Sequence, residues 1–316
     1  MRSRSFLKNM CIAGAVAIYV SACNTSGSKT LDTPTSGSIT ISVDETFAPI
    51  IESQIHTFEN LYKYANVEAA YKPEGQVMQD LINDTVRFVV ATRQLTSEEK
   101  QAFEKLKITP RITKIAVDGV ALILHKDNKD TTLTMQQVRD IFTGTITSWK
   151  QLDSSAPDAP ITIVFDNSNS STSRFIVDSI NQKKPLPGNT YASSSNSNLV
   201  DYVAQNRNSI GVIGVNWISD RDDSTTTSFL NKINVVGIST KEKPSSEDDF
   251  VQPYQAYLAQ GTYPLRREVF IISREARAGL GTGFASFIAG DKGQRIILKS
   301  GLVPASMPVR IVGFAQ

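Results

Sequence analysis

The chain has 316 residues, with 33 lysines and arginines against 31 aspartates and glutamates, a formal net charge of +2, and a hydrophobic fraction of 40%. That is the composition of an ordinary globular protein. With neither a basic excess nor a Lys/Arg stripe interleaved with aromatics, a nucleic-acid surface is excluded as its organising feature.

Met1 to Lys8 carries Arg2, Arg4 and Lys8, and an apolar run from Met10 to Val20 leads into Val20-Ser21-Ala22-Cys23. The run is too short to span a bilayer, and a basic start with small residues before a cysteine is a secretory arrangement. It resembles a bacterial lipoprotein signal with its lipobox, which implies cleavage before Cys23 and a lipid anchor on that residue, at the periplasmic face of a bacterial membrane. Loss of residues 1–22 removes three basic residues and no acidic one, taking the formal charge from +2 to −1. Cys11 leaves with the signal, so no intramolecular disulfide is possible. Residues 23–37 are rich in Ser, Thr and Gly and are expected to form a flexible tether. About 280 residues then remain, more than one typical core supports, so two domains are expected.

Ser38 to Val43 alternates like a strand, Phe47 to Tyr64 has helical spacing, Val67 to Tyr71 reads as a strand, Gly75 to Asn83 as a helix and Arg87 to Ala91 as a strand. Strands alternating with helices imply parallel pairing. After a helix over Glu98 to Lys107 opened by Ser97, the apolar stretch Ile112 to His125 is long enough to cross from one domain into another. A helix follows over Met135 to Phe142, capped by Thr134 and stopped by Gly144. Ser195 to Gln205 reads as a further helix and Ile210 to Val215 as a strand, whereas Arg221 to Phe229 is polar and turn-rich and Lys241 to Phe250 a charged loop. Tyr263 to Ser273 is the candidate return crossover, and Phe284 to Ser300 one amphipathic helix. The expected organisation is an α/β protein of two lobes, residues 38–117 and 261–316 forming one and 118–260 the other, with two hinge crossovers and a ligand cleft between.

Between these elements, Ile161 to Phe175 reads I-T-I-V-F-D-N-S-N-S-S-T-S-R-F. An alternating strand runs into hydroxyls and the amides of Asn167 and Asn169, then into a helix over Thr172 to Asn181. Unpaired N–H groups at a helix start, with small hydroxyl residues around them, form a cradle for an oxyanion. The same residues also serve as ordinary helix caps.

Thr46-Phe47 after a strand, Ala91-Thr92-Arg93-Gln94-Leu95, Asp118-Gly119-Val120-Ala121, the segment Ile141-Phe142-Thr143-Gly144-Thr145-Ile146-Thr147-Ser148-Trp149, Ser170-Ser171-Thr172, Ile210-Gly211-Val212 and Tyr263-Pro264-Leu265 fall in one order. In that order the chain, from about residue 38 to its end, resembles the phosphate-binding proteins of bacterial phosphate ABC transporters. The Ile-Phe-Thr-Gly-Thr-Ile-Thr-x-Trp segment is the most specific piece. The resemblance implies a type II periplasmic binding protein fold, a dehydrated phosphate held between lobes, and an ABC permease as partner. Thr46 and Phe47 would supply the first loop, Thr92 and Arg93 the second, and Asn167, Ser170, Ser171 and Thr172 the third.

The sequence departs from that pattern in its charges. Asp166 stands where well-known members begin the third loop with an arginine, and Ser171 replaces a glycine. Arg93 stands where some members have a carboxylate, and Asp44-Glu45 where small residues are usual. Arg93, ranked before Arg174, is the candidate to replace the missing arginine as a charge-assisted donor. Glu45, Asp118 and Asp166 are candidate acceptors for a phosphate proton, which sulfate lacks. Each also has a structural alternative, as a helix-start, turn or cap residue.

Other classes fit less well. His56 and His125 lie far apart and form no metal-ligand cluster with the cysteines, so no metal and no cofactor are expected. The serines lack a Gly-x-Ser-x-Gly elbow, which argues against an enzyme. A lipid-anchored sensor or a binder of sulfate, molybdate or a phosphorylated small molecule stays open. A monomer is expected.

Overall fold

The computed structural model describes residues 32–220 and 222–309. The expected signal, Cys23 and most of the expected tether lie outside the described residues. The end of that tether is part of the fold: Asp32 Oδ1 accepts the N–H of Leu280 at 2.8 Å, and the first strand already begins at Ser36.

Strand β1 (Ser36–Asp44) ends in a single tight turn, Glu45–Phe47, that feeds α1 (Ala48–Leu61). Pro49 suits that helix start because its missing N–H would have been unpaired there. Then follow β2 (Tyr64–Lys72), α2 (Glu74–Ile82), β3 (Phe88–Ala91) and α3 (Ser97–Lys105). Thr96, rather than Ser97, caps α3 in a reciprocal box with Glu99. Strand β4 (Arg111–His125) covers the first expected crossover. Beyond it come β5 (Thr132–Thr134), α4 (Met135–Phe142), β6 (Thr162–Phe165) and α5 (Ser171–Phe175), which widens into a π-turn over Ile176–Ile180. The next elements are β7 (Thr190–Ala192), α6 (Asn196–Gln205), β8 (Ser209–Gly214), α7 (Ser224–Lys232), β9 (Ile233–Val235), β10 (Gly237–Ser239) and α8 (Gln255–Gln260). The chain closes with β11 (Arg266–Ser273), α9 (Leu280–Ala289), α10 (Asp291–Lys299) and β12 (Val303–Pro304).

Two expectations fail here. The stretch called polar and turn-rich at Arg221 to Phe229 holds α7, because Asp223 caps it and Thr226 and Phe229 supply a buried face that a count of polar residues hides. The single terminal helix is two, broken at Gly290, whose extended backbone (ψ 175°) ends one helix and starts the next.

The main sheet runs β2-β1-β3-β11-β4-β8-β6-β7. Pairing is parallel for β1 with β2 and β3, and for β6 with β7 and β8, as alternation of strands and helices requires. The crossover strands are antiparallel. From Arg111 to Gly119, β4 pairs with β11; from Val120 to Leu124 it pairs with β8. One long strand thus belongs to two halves. Their cores are separate: Ile39, Val43, Phe58, Phe88, Ile115 and Phe284 pack in one, and Val120, Phe142, Ile163, Val212 and Tyr263 in the other. Tyr263 and Leu265 lie in the second core, so the return to the first half comes where β11 begins. Tyr263 is anchored there by donating its hydroxyl to Val120 O at 2.8 Å. Among the described residues no helix is long and apolar enough to cross a membrane.

Candidate functional site

The carboxyl ends of β1, β3, β6 and β8 meet in a seam between the two halves, the place where open α/β sheets present ligand-binding loops. Asp44 ends β1, Thr92 follows β3, Asp166 follows β6, and Asn216 lies two residues beyond β8. All four are buried. Into the same seam the crossover strands bring a pair of charged residues. The antiparallel register sets Arg267 of β11 opposite Asp118 of β4, so both side chains emerge on one face. Arg267 Nε donates to Asp118 Oδ2 at 2.9 Å, and the pair is 3% and 0% exposed.

Around this ion pair the two halves touch directly. Arg267 Nη1 donates to Ser171 Oγ at 2.9 Å, and the Ser171 and Thr46 hydroxyls are 3.3 Å apart. Thr46 O accepts from Asn216 Nδ2 at 2.7 Å and from Trp217 Nε1 at 2.8 Å, pinning the first loop to the second half. The loop itself is shaped by Asp44, whose Oδ1 accepts the Thr46 N–H at 3.1 Å. Phe47 lies buried under the guanidinium, its ring centroid 5.6 Å from Arg267 Cζ. Gly214 is required here, because a Cβ would stand 2.4 Å from the Thr46 methyl and 2.9 Å from Asn216 Oδ1.

On the other side, Ser170 caps α5 by accepting the Ser173 N–H at 3.2 Å. Its hydroxyl lies 2.9 Å from that of Thr172, which donates to Asp166 Oδ1 at 2.6 Å. Asn167 Oδ1 accepts the Asn169 N–H at 3.1 Å, so this amide shapes the loop. Arg174 reaches across the seam: its Nε donates to Glu74 Oε2 at 2.5 Å and its Nη2 to Thr92 Oγ1 at 2.8 Å. Glu74 Oε1 in turn accepts from the N–H and hydroxyl of Thr92, at 2.6 and 2.7 Å.

The seam therefore gathers Thr46, Phe47, Asp118, Asp166, Ser170, Ser171 and Thr172, with Thr92 and Arg174 at its edge. Arg93 is not among them. It makes a two-pronged pair with Glu99, 2.7 Å for each bond, beside the start of α3. The guanidinium in the centre is Arg267, bonded to Asp118 and Ser171. Arg93 and Arg174 instead line an open recess of about 630 Å³ at the seam's rim. Arg267, Glu74 and Asn216 were not singled out from the sequence, and Asp44 only as a departure from the small residues usual in the first loop. One signal for Arg267 was present: it shares the parity of Leu265, Val269 and Ile271, the buried side of its strand.

Burial dominates the electrostatics. It pushes the Asp44 carboxyl up to about 7, with the nearby charge of Glu74 adding to the effect and Arg267 opposing it. Burial and the Asp166 charge raise Glu45 likewise to about 7, although Glu45 is only half-buried. Asp118 and Asp166 are also raised by burial, against the pull of Arg267 on the first and of the Thr172 hydroxyl on the second. Glu74 goes the other way: burial works against its charge, yet Arg174 and the bonds from Thr92 hold it below the usual carboxylate range. Several polar atoms in the seam are buried without a hydrogen-bond partner among the described residues: Asp44 Oδ2, Asp166 Oδ2, Asn216 Oδ1, Glu45 Oε1 and Arg267 Nη2. Unsatisfied buried polar atoms are costly, and a cluster of them marks a place for a polar ligand.

A groove of about 920 Å³ lies behind the first loop between α1, α10 and Trp217, and none of the charged residues lining it is buried. Among the described residues no group of His, Cys, Asp and Glu is arranged to hold a metal ion. His125, the one imidazole considered as a base, is seven residues along β4 from Asp118, roughly 23 Å away at strand rise.

A two-lobed α/β fold whose strand ends enclose hydroxyls, carboxylates and one guanidinium defines a solute-binding class. The chain belongs to the PBP superfamily, whose domain model matches residues 28–292. It is 27% identical over 253 residues to the phosphate-binding protein PstS of Staphylococcus epidermidis, covering 79% of this chain and 73% of that protein. PstS of Staphylococcus aureus shows the same 27% identity and coverage. Among solved structures, a Clostridium perfringens phosphate ABC transporter substrate-binding protein with bound phosphate matches with a TM-score of 0.71 and 25% identity, over 85% of this chain and 100% of that one. An ABC-type phosphate transport receptor from Vibrio cholerae, 20% identical with a TM-score of 0.64, covers 85% of this chain and 100% of its own and shares the fold.

Proposed function

We propose that this chain is an extracytoplasmic solute-binding protein that captures inorganic phosphate between its lobes and delivers it to an ABC permease, held at the membrane by a lipid on Cys23. The observation that carries the reading is the sealed cluster of unpaired polar atoms: one guanidinium N–H, Arg267 Nη2, beside carboxylate oxygens of Asp44 and Asp166. A guanidinium donor answers the charged oxygens of an oxyanion, and the carboxylates answer a hydroxyl. Phosphate carries both near neutral pH and sulfate carries no proton. The names of the Staphylococcus and Clostridium relatives support the same ligand.

In this reading Thr46, Ser170 and Ser171 donate hydroxyls, Thr172 lines the cradle and holds Asp166 through its own hydroxyl, Arg267 supplies the charge, Asp118 holds Arg267 in place, and Asp44, Asp166 and Glu45 accept protons. Phe47 packs under the guanidinium and keeps water away. Arg174, Glu74 and Thr92 tie the lobes together at the rim. Residues 38–117 and 261–316 form one lobe and 118–260 the other, adjusted by the pairing of β4 and the place of Tyr263. The closed form, with its loops fixed by contacts across the seam, is what a permease distinguishes from the open one.

Isothermal titration of the chain, freed of carried-over ligand, with phosphate and then sulfate tests the reading. Tight phosphate binding with sulfate silent is expected. Equal binding of sulfate would remove the acceptor role of the carboxylates, and silence with both anions would remove the phosphate assignment.

A further inference from the structure

Buried negative charge in the seam exceeds buried positive charge. Asp44, Asp118 and Asp166 are 0% exposed and Glu74 1%, facing two guanidiniums, Arg267 and the partly exposed Arg174. Each guanidinium is already committed, Arg267 to Asp118 and Arg174 to Glu74. Asp44 is left with the Thr46 N–H and the nearby Ser171 hydroxyl, Asp166 with the Thr172 and Ser170 hydroxyls, and neither forms an ion pair among the described residues. Each also keeps one oxygen, Oδ2, buried without a partner among those residues.

The groups that face these carboxyls come from every wall of the seam. Asp44 faces Glu74 of α2, Arg267 of β11 and Ser171 of α5. Asp166 faces Arg267, Ser170 and Thr172, and it repels Glu45 of the first loop. Asp118 faces Arg267 and, from the return segment, Tyr263. Among the described residues no further cation pairs with Asp44 or Asp166. A doubly charged anion placed among them meets more negative than positive groups. Repulsion among desolvated like charges is then relieved by protons, either on the ligand or on the carboxyls.

We propose that the seam takes up phosphate together with protons, so that the bound unit carries the charge of dihydrogen phosphate, with Asp44 and Asp166 sharing the protons through their orphaned oxygens. The inference rests on the phosphate reading of the site. It sets this cleft apart from one built for a dianion, in which positive groups balance or exceed the negative ones. The directions of titration agree with it, since burial holds the carboxyls of Asp44, Asp166 and Glu45 above their ordinary range. A proton on Asp44 or Asp166 also becomes a donor to the anion, so each proton both removes repulsion and adds a hydrogen bond.

The test is calorimetric titration of the full chain with inorganic phosphate from pH 6 to pH 9, at each pH in two phosphate-free buffers of low and high ionisation enthalpy. Above neutrality the heats are expected to differ between the buffers by the equivalent of about one proton taken up, and Kd to rise roughly tenfold per pH unit. A Kd that stays flat or falls as pH rises, with equal heats in both buffers, would overturn proton uptake and leave phosphate binding standing. Absence of phosphate binding at every pH would remove the phosphate reading and this inference together.

Discussion

Arg267 is the residue on which the chemistry of the seam turns, because it is the guanidinium that touches both a carboxylate and the third loop. Arg267→Lys keeps a charge but loses the planar fork that bonds Asp118 and Ser171 at once. Hydrogen bonds to charged groups contribute roughly 1.5 to 3 kcal/mol, so phosphate affinity is expected to fall about tenfold to a hundredfold in a calorimetric titration. Unchanged affinity would place the anion elsewhere. Asp44 gives a second prediction, about pH. Its carboxyl is raised from the ordinary value of 3.8 to about 7 in the folded chain. The folded state therefore holds a proton that the unfolded state releases between those values. The stabilisation is full below about pH 4 and is lost as pH rises to about 7. Asp44→Asn removes this dependence, worth on the order of 2 to 4 kcal/mol before its coupling to Glu74 is discounted. In melts of the ligand-free protein from pH 5 to pH 8, the variant should lose less stability than the parent. Parallel curves would show that the Asp44 carboxyl is not raised.

At the scale of elements, the end of β8 decides how closely the lobes approach. Gly214 has ordinary backbone angles, φ −69° and ψ 140°, so alanine fits the strand but not the space. The added methyl would meet Thr46 of the first loop at 2.4 Å. Relief requires the first loop to move away from the second lobe, stretching the bonds from Asn216 and Trp217 to Thr46 O. Gly214→Ala is expected to lower phosphate affinity at least tenfold while far-UV circular dichroism stays that of the parent. Unchanged affinity would mean that the seam has slack that the packing does not show. The cradle helix α5 was readable to within a residue, expected from Thr172 and found from Ser171 with Ser170 as its cap. Its widening into a π-turn at Ile176 was not, because apolar spacing over five residues does not separate an α-turn from a π-turn.

For the whole molecule, contacts across the seam set the balance of open and closed forms. Arg174 of the second lobe bridges Glu74 and Thr92 of the first, at bond lengths of 2.5 and 2.8 Å. Arg174→Gln removes that tie and leaves Glu74 buried without its cation, so the closed form is penalised while each lobe keeps its own core. Small-angle scattering should then show a larger radius of gyration without phosphate and a return toward the parent value at saturation, with affinity lowered roughly tenfold, about 1.4 kcal/mol. An unchanged radius in both states would show that Arg174 does not hold the lobes. The two cores explain why such a change is tolerated: neither depends on residues at the rim.

Much of the architecture was legible locally. Alternating apolar positions marked β1 and β6, a long apolar stretch marked β4, and a cap residue placed α4, because strand and helix periods and the needs of unpaired N–H groups are written in adjacent residues. The hydroxyl cradle at Ser170, Ser171 and Thr172 was legible for the same reason. The central ion pair was not. Asp118 and Arg267 are 149 positions apart, and only the antiparallel register of the two crossover strands makes them neighbours. Arg93 shows the converse: a nearby motif marks it as a candidate, while its pairing with Glu99, six residues on, and its place at the rim of the seam come from the packed chain. Local sequence determined the elements, the loops and the kind of ligand they suit. Tertiary structure decided which charges meet in the dark between the lobes, because burial and distance, on which electrostatic strength depends, are properties of the packed chain.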